Sequence, residues 1–484
     1  MAKVPSRSVL LRMPPIVLYT AGVALDKGFS LLTIPLVAAY LSPAEFGRLD
    51  VALSLIELIG LVMAFGLADT MVRFASDSSN LDERRRCAAE FLGLSLILTA
   101  VATVMLQFIL PFVAIWLGID VALTALRVAV GGATMTSLIE MPLVWQRMIG
   151  RANIFLCYLL IRSLAQVVMM FFVLRAGFGA EGLLVANGAV MIVYGAMLAV
   201  WQAATTGIGL SRRCARDVCR YGIPLVGAAL ATFVLGNCNR WFLVGRVDAA
   251  EIAYLGLAFK FALIVPLLLQ PYYLWWNPQR LEVLAAPGGL ARSAWAWGVG
   301  VSVLLLSATA LALGGPIFVS VAFPPAYAPA APLIGIAISV CVLNELCTMS
   351  NAGAFARSNS LSILAISMAG GLVAVVAYLV LIPMHAVLGA LASMMLGHAT
   401  RLVLFFATSR PRIPFPAKRA VVVAAVALIL VEFAPSVAQV LPRILWSTLA
   451  ILILAALVVS LGLVPHPHLP QLAKFRRRLN ASGR

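Results

Sequence analysis

Charge is what this chain has least of. Only 11% of its 484 residues are Asp, Glu, Lys or Arg, against 63% hydrophobic. The mean hydropathy of +1.03 lies far outside the range of soluble domains. Histidine is rarer still, with four in all. His385 and His398 stand singly, and His466-Pro467-His468 reads as a solvated turn, so no histidine set has metal-ligand spacing. Seven cysteines (Cys87, Cys157, Cys214, Cys219, Cys238, Cys341, Cys347) are odd in number and scattered, and without framework spacing they give no disulfide pattern. Cys214 and Cys219 flank a basic stretch with no histidine partner and read as idle thiols rather than a metal site. There is no P-loop, HExxH or GxSxG, so nucleotide hydrolysis, zinc-protease and serine-hydrolase chemistry have no carrier, and neither cofactor nor metal is expected. Outer loops stay below about 15 residues. A membrane-embedded polysaccharide polymerase or ligase, which needs a large polar outer loop, fits poorly.

What is abundant is the long apolar run. Segments fall at about 15–40, 46–72, 88–118, 122–146, 153–175, 180–203, 221–245, 251–276, 294–321, 327–350, 358–382, 384–408, 419–434 and 441–465. Most are long enough to cross a hydrocarbon core of roughly 30 Å. The chain is therefore expected to be an all-α polytopic membrane protein with 12–14 transmembrane helices, fourteen preferred. The thirteenth is short and followed by Glu432 and Pro435. The first run is too long for a signal-peptide core and reads as a retained helix.

Basic residues orient the bundle. With the N-terminus inside, inner loops and tails receive 25 of the 35 Lys and Arg, and outer loops only Arg48, Arg127, Arg175, Arg246 and Arg443, so both termini are expected in the cytoplasm. Most of the +17 charge is then a matter of topology and of anionic lipid, and nucleic-acid binding is not expected.

The longest polar interruption, 204–220, halves the chain. Leu41-Ser42-Pro43-Ala44-Glu45 aligns with Val247-Asp248-Ala249-Ala250-Glu251 at an offset of 206 residues, and both read as capping boxes opening the second helix of their half. The expected organisation is a six-helix lobe over 1–203, a basic cytoplasmic linker over 204–220, a second six-helix lobe over 221–409 related to the first by a parallel repeat, two additional helices over 410–465 and a basic tail over 466–484.

The stretch Gly22–Phe74 is the best specified. Pro43 stands at the first helical position behind Ser42, while the preceding helix carries Asp26 and Lys27 near mid-depth and Pro35 further on. Pro35, Tyr40-Leu41-Ser42-Pro43-Ala44-Glu45-Phe46-Gly47, Phe65-Gly66-Leu67 and Arg73-Phe74 resemble the opening of the polysaccharide flippases of the multidrug/oligosaccharidyl-lipid/polysaccharide exporter superfamily. In the second half, Asn239-Arg240-Trp241-Phe242-Leu243-Val244-Gly245, Ala253-Tyr254, Lys260 and Trp275-Trp276-Asn277-Pro278 resemble that family's seventh and eighth helices. Asn239 stands where the family often has an acid, so Arg240 has no carboxylate beside it in sequence. The resemblance spans roughly residues 15 to 410. It implies translocation of an undecaprenyl-pyrophosphate-linked oligosaccharide across the bacterial inner membrane for exopolysaccharide, capsule or O-antigen synthesis, by alternating access, without enzymatic activity. Implied partners are the lipid-linked oligosaccharide, membrane lipids and a polysaccharide polymerase with its export machinery. A multidrug exporter of the same superfamily is the alternative.

Five bases fall inside predicted helices: Lys27, Arg162, Arg240, Lys260 and Arg401. The central acids are Asp26, Glu57, Glu140 and Glu345. A charge at mid-bilayer costs from about 2.5 to over 10 kcal/mol, so each needs a partner or water. Two readings stay open. The bases bind the substrate pyrophosphate in a cationic cavity, or they pair internally, Arg162 with Glu140 or Arg240 with an acid such as Glu57. Arg162 and Arg401 also lie near the inner ends, where long side chains reach the interface. Asp26, Glu57 and Glu345 are ion-coupling candidates or structural partners. Tyr272-Tyr273-Leu274-Trp275-Trp276 reads as an interfacial aromatic belt, and Pro224, Pro266 and Pro271 as bends.

Overall fold

In hydrocarbon every backbone N–H and C=O must be satisfied within its own segment, which leaves helices as the solution for a chain this apolar. The computed structural model describes residues 28, 33–64, 66–76, 80–352, 361–408, 413–437 and 439–463, and among these there is no strand. Nine helical stretches among the described residues are long and apolar enough to cross a membrane. Asp26 and Lys27 lie outside the described residues.

A helical stretch over 33–40 leads to α1 (Pro43–Ala64). There follow α2 (Leu67–Ser76), α3 (Leu81–Trp116), α4 (Leu123–Thr134), α5 (Thr136–Met148), α6 (Ala152–Arg175), α7 (Gly179–Thr206), α8 (Arg212–Gly236), α9 (Asn239–Leu243) and α10 (Ala249–Ala262). The chain continues through α11 (Ile264–Leu268), α12 (Gln270–Trp276), α13 (Arg280–Ala285), α14 (Gly289–Ala322), α15 (Ala331–Ser350), α16 (Leu361–Thr408), α17 (Ala417–Glu432) and α18 (Val440–Ser460).

Local chemistry explains the boundaries. Ser42 and Glu45 form the expected capping box: Glu45 N donates to Ser42 Oγ at 3.3 Å and Ser42 N to Glu45 Oε2 at 2.9 Å, so two otherwise orphaned amides are satisfied at the start of α1. Proline supplies no N–H and its ring meets the preceding turn, and the span Ala249–Trp276 is accordingly interrupted at Leu263 and Leu269, beside Pro266 and Pro271. In α16 the helical path breaks at Ala386 (φ 49°, ψ −124°), just after Pro383, so its 48 residues hold the two apolar runs read from sequence. At 16 residues, α17 is about 24 Å long, the shortest of the expected spans. Arg443, assigned to an outer loop from sequence, instead lies in the first turn of α18 and is buried, with Nε donating to Leu313 O at 3.2 Å and Nη1 to Pro435 O at 2.8 Å.

The chain divides into two compact units. One holds the described residues up to Leu257 with Ala322–Ala330 and Ser367–Gly397; the other holds Ala258–Val321, Ala331–Ile366 and the described residues from His398 onward. In the first, α4 and α7 cross backbone to backbone: a Cβ on Gly132 would lie 2.7 Å from Gly188 Cα, the close approach that small residues allow in membrane helices. In the second, Trp297 Nε1 donates to Ser350 Oγ at 3.1 Å and Trp446 Nε1 to Leu430 O at 2.8 Å, tying α14 to α15 and α18 to α17.

Candidate functional site

Three polar assemblies lie within the helical units, and they differ in how their charges are balanced. The first is a cavity of about 510 Å³ in the first unit, within the range typical of small-ligand sites. Its wall is largely apolar, with Leu53 and Ile56 of α1 and Met170 of α6. Its polar groups are Thr33, Glu57, Thr136, Arg162, Ser163, Gln166 and Asn187. Glu57 lies twelve residues past Glu45, about 18 Å along the helix at 1.5 Å per residue, and its side chain is exposed where it lines the cavity. Gln166 Nε2 donates to Asn187 Oδ1 at 2.7 Å, which joins α6 to α7 and leaves the second polar atom of each amide for a ligand. Arg162 and Glu57 give this cavity one cationic and one anionic wall group among the described residues.

The second assembly surrounds Arg240. Its Nε donates to Asp50 Oδ2 at 2.5 Å, and both side chains are about 95% buried. Arg240 Nη1 donates to Asn237 Oδ1 at 3.2 Å and to Asn239 Oδ1 at 3.4 Å. The anion that Arg240 requires is therefore Asp50, on α1, and not Glu57 two turns further along. Asp50 was missed from sequence, although an acid in an apolar run was the signal that should have drawn attention to it.

The third assembly lies in the second unit and joins two residues the sequence had placed in separate roles. Tyr273 donates its hydroxyl to Glu345 Oε2. Asn344 Nδ2 donates to Glu345 Oε1 at 3.3 Å, while Asn344 Oδ1 accepts from Arg401 Nη1 at 3.2 Å. His398 Nδ1 is 3.2 Å from the same Nη1. Arg401 Nε is buried without a hydrogen-bond partner. The guanidinium is thus held inside the unit by Asn344 and His398 and does not reach for the interface. Tyr273 also revises the aromatic-belt reading. On a helical segment successive side chains point about 100° apart, so Tyr272 and Trp276 are buried and Tyr273 joins the network, while Trp275 stays 37% exposed.

The remaining candidate, Lys260, is half-buried in the last turn of α10 and makes no hydrogen bond or ion pair with a described residue. Arg162 and Glu57 share the cavity, Arg240 is engaged by Asp50, and Glu345 and Arg401 share one network.

The model of a family described as polysaccharide biosynthesis protein matches residues 16–274. Among solved structures, the chain is similar to a lipid II flippase MurJ in an inward closed conformation, at 13% identity over 91% of this chain and 98% of that one, with a TM-score of 0.69. It is also similar to the MATE multidrug transporter DinF-BH, at 11% identity over 84% of this chain and 97% of that one, TM-score 0.57. A MATE protein in complex with MaD3S gives 18% identity over the same shares, TM-score 0.53. At these identities the likeness is one of fold. No curated protein matches.

Proposed function

The chain belongs to the polysaccharide biosynthesis protein family, and from that membership we propose that it is a flippase moving an undecaprenyl-pyrophosphate-linked oligosaccharide across the bacterial inner membrane. The observation that carries this reading is the cavity itself: an apolar wall with Arg162, hydrogen-bonding amides and one carboxylate, Glu57, among helices long and apolar enough to cross a membrane. A pyrophosphate leaving the headgroup region loses water that a guanidinium and amides replace, while the polyprenyl tail stays in lipid. Two six-helix lobes, over 1–203 and 221–409, alternate access, the first of them carrying the cavity, with both termini in the cytoplasm. The substrate's covalent structure is unchanged, and the driving force is an ion gradient acting through Glu345 or Glu57. The product then passes to a polysaccharide polymerase and export machinery.

Purified protein in liposomes holding a fluorescent polyprenyl-pyrophosphate disaccharide tests the proposal directly. Loss of fluorescence to an impermeant quencher reads transbilayer movement. The expected result is movement well above protein-free liposomes and a loss of tenfold or more in Arg162→Ala at equal reconstituted protein. Absence of movement, with uptake of a cationic dye in its place, would overturn the flippase reading in favour of the multidrug exporter.

A further inference from the structure

The pair Asp50–Arg240 has company. Asp50 and Ser54 are one turn apart on the same face of α1. Ser54 Oγ accepts from Trp241 Nε1 at 2.7 Å, so two successive residues of α9 are attached to two successive turns of α1. Glycine lets the backbones close in on either side. A Cβ on Gly47 would lie 1.8 Å from Ala249 O, and one on Gly256 would lie 2.6 Å from Asp50 Oδ2. Just upstream of α1, Leu41 O accepts from Tyr327 Oη at 2.9 Å, and the Tyr327 ring meets Phe46 edge to face at 5.9 Å. All of these contacts lie within the first unit, between the capping box and the middle of α1.

Two physical points separate this cluster from an ordinary structural ion pair. A buried pair repays its desolvation only while the partners touch in good geometry, and against hydrated charges it roughly breaks even. Asp50 is also only seven residues past Pro43, about 10 Å along the helix. Were α1 and α9 to part, both charges would meet incoming water and recover their solvation. The pair is therefore costly to break inside a closed bundle and cheap to hold apart in an open one, which makes it select between two arrangements.

We propose that Asp50–Arg240, with Ser54–Trp241 beside it, is a latch that holds the capping-box end of the bundle shut and must release for that end to open. The proposal rests on the flippase reading only for what passes through once the latch is open.

Native Cys238, half-buried and two residues from Arg240, serves as reporter after the other six cysteines are changed to alanine. The full chain is reconstituted in liposomes without substrate, and the rate of reaction with an impermeant maleimide is measured, using molecules oriented with the capping-box end outward. In Asp50→Asn/Arg240→Gln the amides keep much of the shape without stranding a charge. Cys238 there is expected to react at least tenfold faster than in the parent, and the charge swap Asp50→Arg/Arg240→Asp should return to within threefold of it. If the neutral pair does not fold, Trp241→Phe, which loses the Ser54 bond and trims the indole while keeping an aromatic ring beside Phe233, should still speed labelling about twofold to threefold. A parent rate in the neutral pair, or in Trp241→Phe where the neutral pair does not fold, would overturn the latch. Because no substrate is present, the outcome is independent of the flippase reading: failed lipid movement with accelerated labelling removes the proposed cargo and leaves the latch.

Discussion

In the first unit Asp50 and Arg240 touch, and in the second Glu345 and Arg401 do not, although each set is buried and each holds one acid and one base. The difference lies in what stands between them. Asn344 offers its amide N–H to Glu345 and its carbonyl to Arg401, so two charges that would otherwise collapse into a pair are held one side chain apart. Direct contact neutralises Asp50 and Arg240 as a unit, and removing either strands the other. Separation leaves Glu345 satisfied by two neutral donors, Tyr273 and Asn344, and leaves Arg401 Nε without a hydrogen-bond partner. A carboxylate held by neutral donors can take up or release a proton or cation without stranding a touching base. The first arrangement suits a contact that is made or broken whole, and the second a group that changes charge in place.

The sharpest way to break this comparison is to remove one partner of the touching pair. Arg240→Ala leaves Asp50 buried and unpaired, a loss of about 3–5 kcal/mol, and most of the folded protein in the membrane is expected to disappear. Asp50→Ala in the same chain should restore more than half of it, because the two effects are not additive when one contact carries both. Membrane abundance and detergent size-exclusion profiles of the two single variants and the double variant read this. Equal loss in the double variant would mean that Asp50 and Arg240 act separately.

A smaller effect on folding, with a larger one on function, is expected from Glu345→Gln. Glutamine keeps a carbonyl acceptor for Tyr273 or Asn344 and loses one hydrogen bond, a change of about 1 kcal/mol, so folded protein should survive at near-parent levels. If Glu345 changes charge during the cycle, lipid movement in the liposome assay should no longer respond to an imposed proton or sodium gradient. An unaltered gradient response at parent abundance would give the separated pair a purely structural role and erase the contrast with Asp50–Arg240.

These two sets also show where sequence reading reaches and where it stops. The all-α membrane bundle, the capping box at Ser42 and Glu45, the interruptions beside Pro266 and Pro271 and the break after Pro383 were all legible. Each depends on residues within a few positions of one another. Arg240 was recognised as needing an anion, but its partner lies 190 residues away, and a hydropathy pattern carries no register between distant helices. Glu57 stands as an example of such an acid in the sequence reading, although Asp50 lies on the same face of α1 two turns earlier. Arg443 was misplaced for a related reason: a basic residue beside Pro435 and Pro442 looks like loop until the carbonyls of Leu313 and Pro435 are seen to hold it. Tyr273 and Asn344 gave no signal at all, since a tyrosine in an aromatic run and a lone asparagine have commoner explanations than a charge network.

The smallest expected effect belongs to the capping box, beside the latch but different in kind. Ser42 Oγ accepts from Glu45 N at 3.3 Å and lies 2.8 Å from Glu45 Oε2, in an exposed position. Ser42→Ala removes both bonds but leaves the Ser42 backbone N–H with its Glu45 acceptor, and water can reach the amide that is freed. The loss should be about 1 kcal/mol, a fall in unfolding temperature of no more than about 2–4 °C, with lipid movement and Cys238 labelling both near the parent. Gly47→Ala, five residues further on, is also a change of one heavy atom, a carbon added where Ser42→Ala removes an oxygen, yet it meets Ala249 O at 1.8 Å and must push α1 from the start of α10. Its labelling rate should rise toward that of Asp50→Asn/Arg240→Gln. Thermal unfolding and labelling measured on both variants decide the matter: if Ser42→Ala accelerates labelling as much as Gly47→Ala does, this end of α1 is opened by fraying of its first turn, and Asp50–Arg240 is not what holds it.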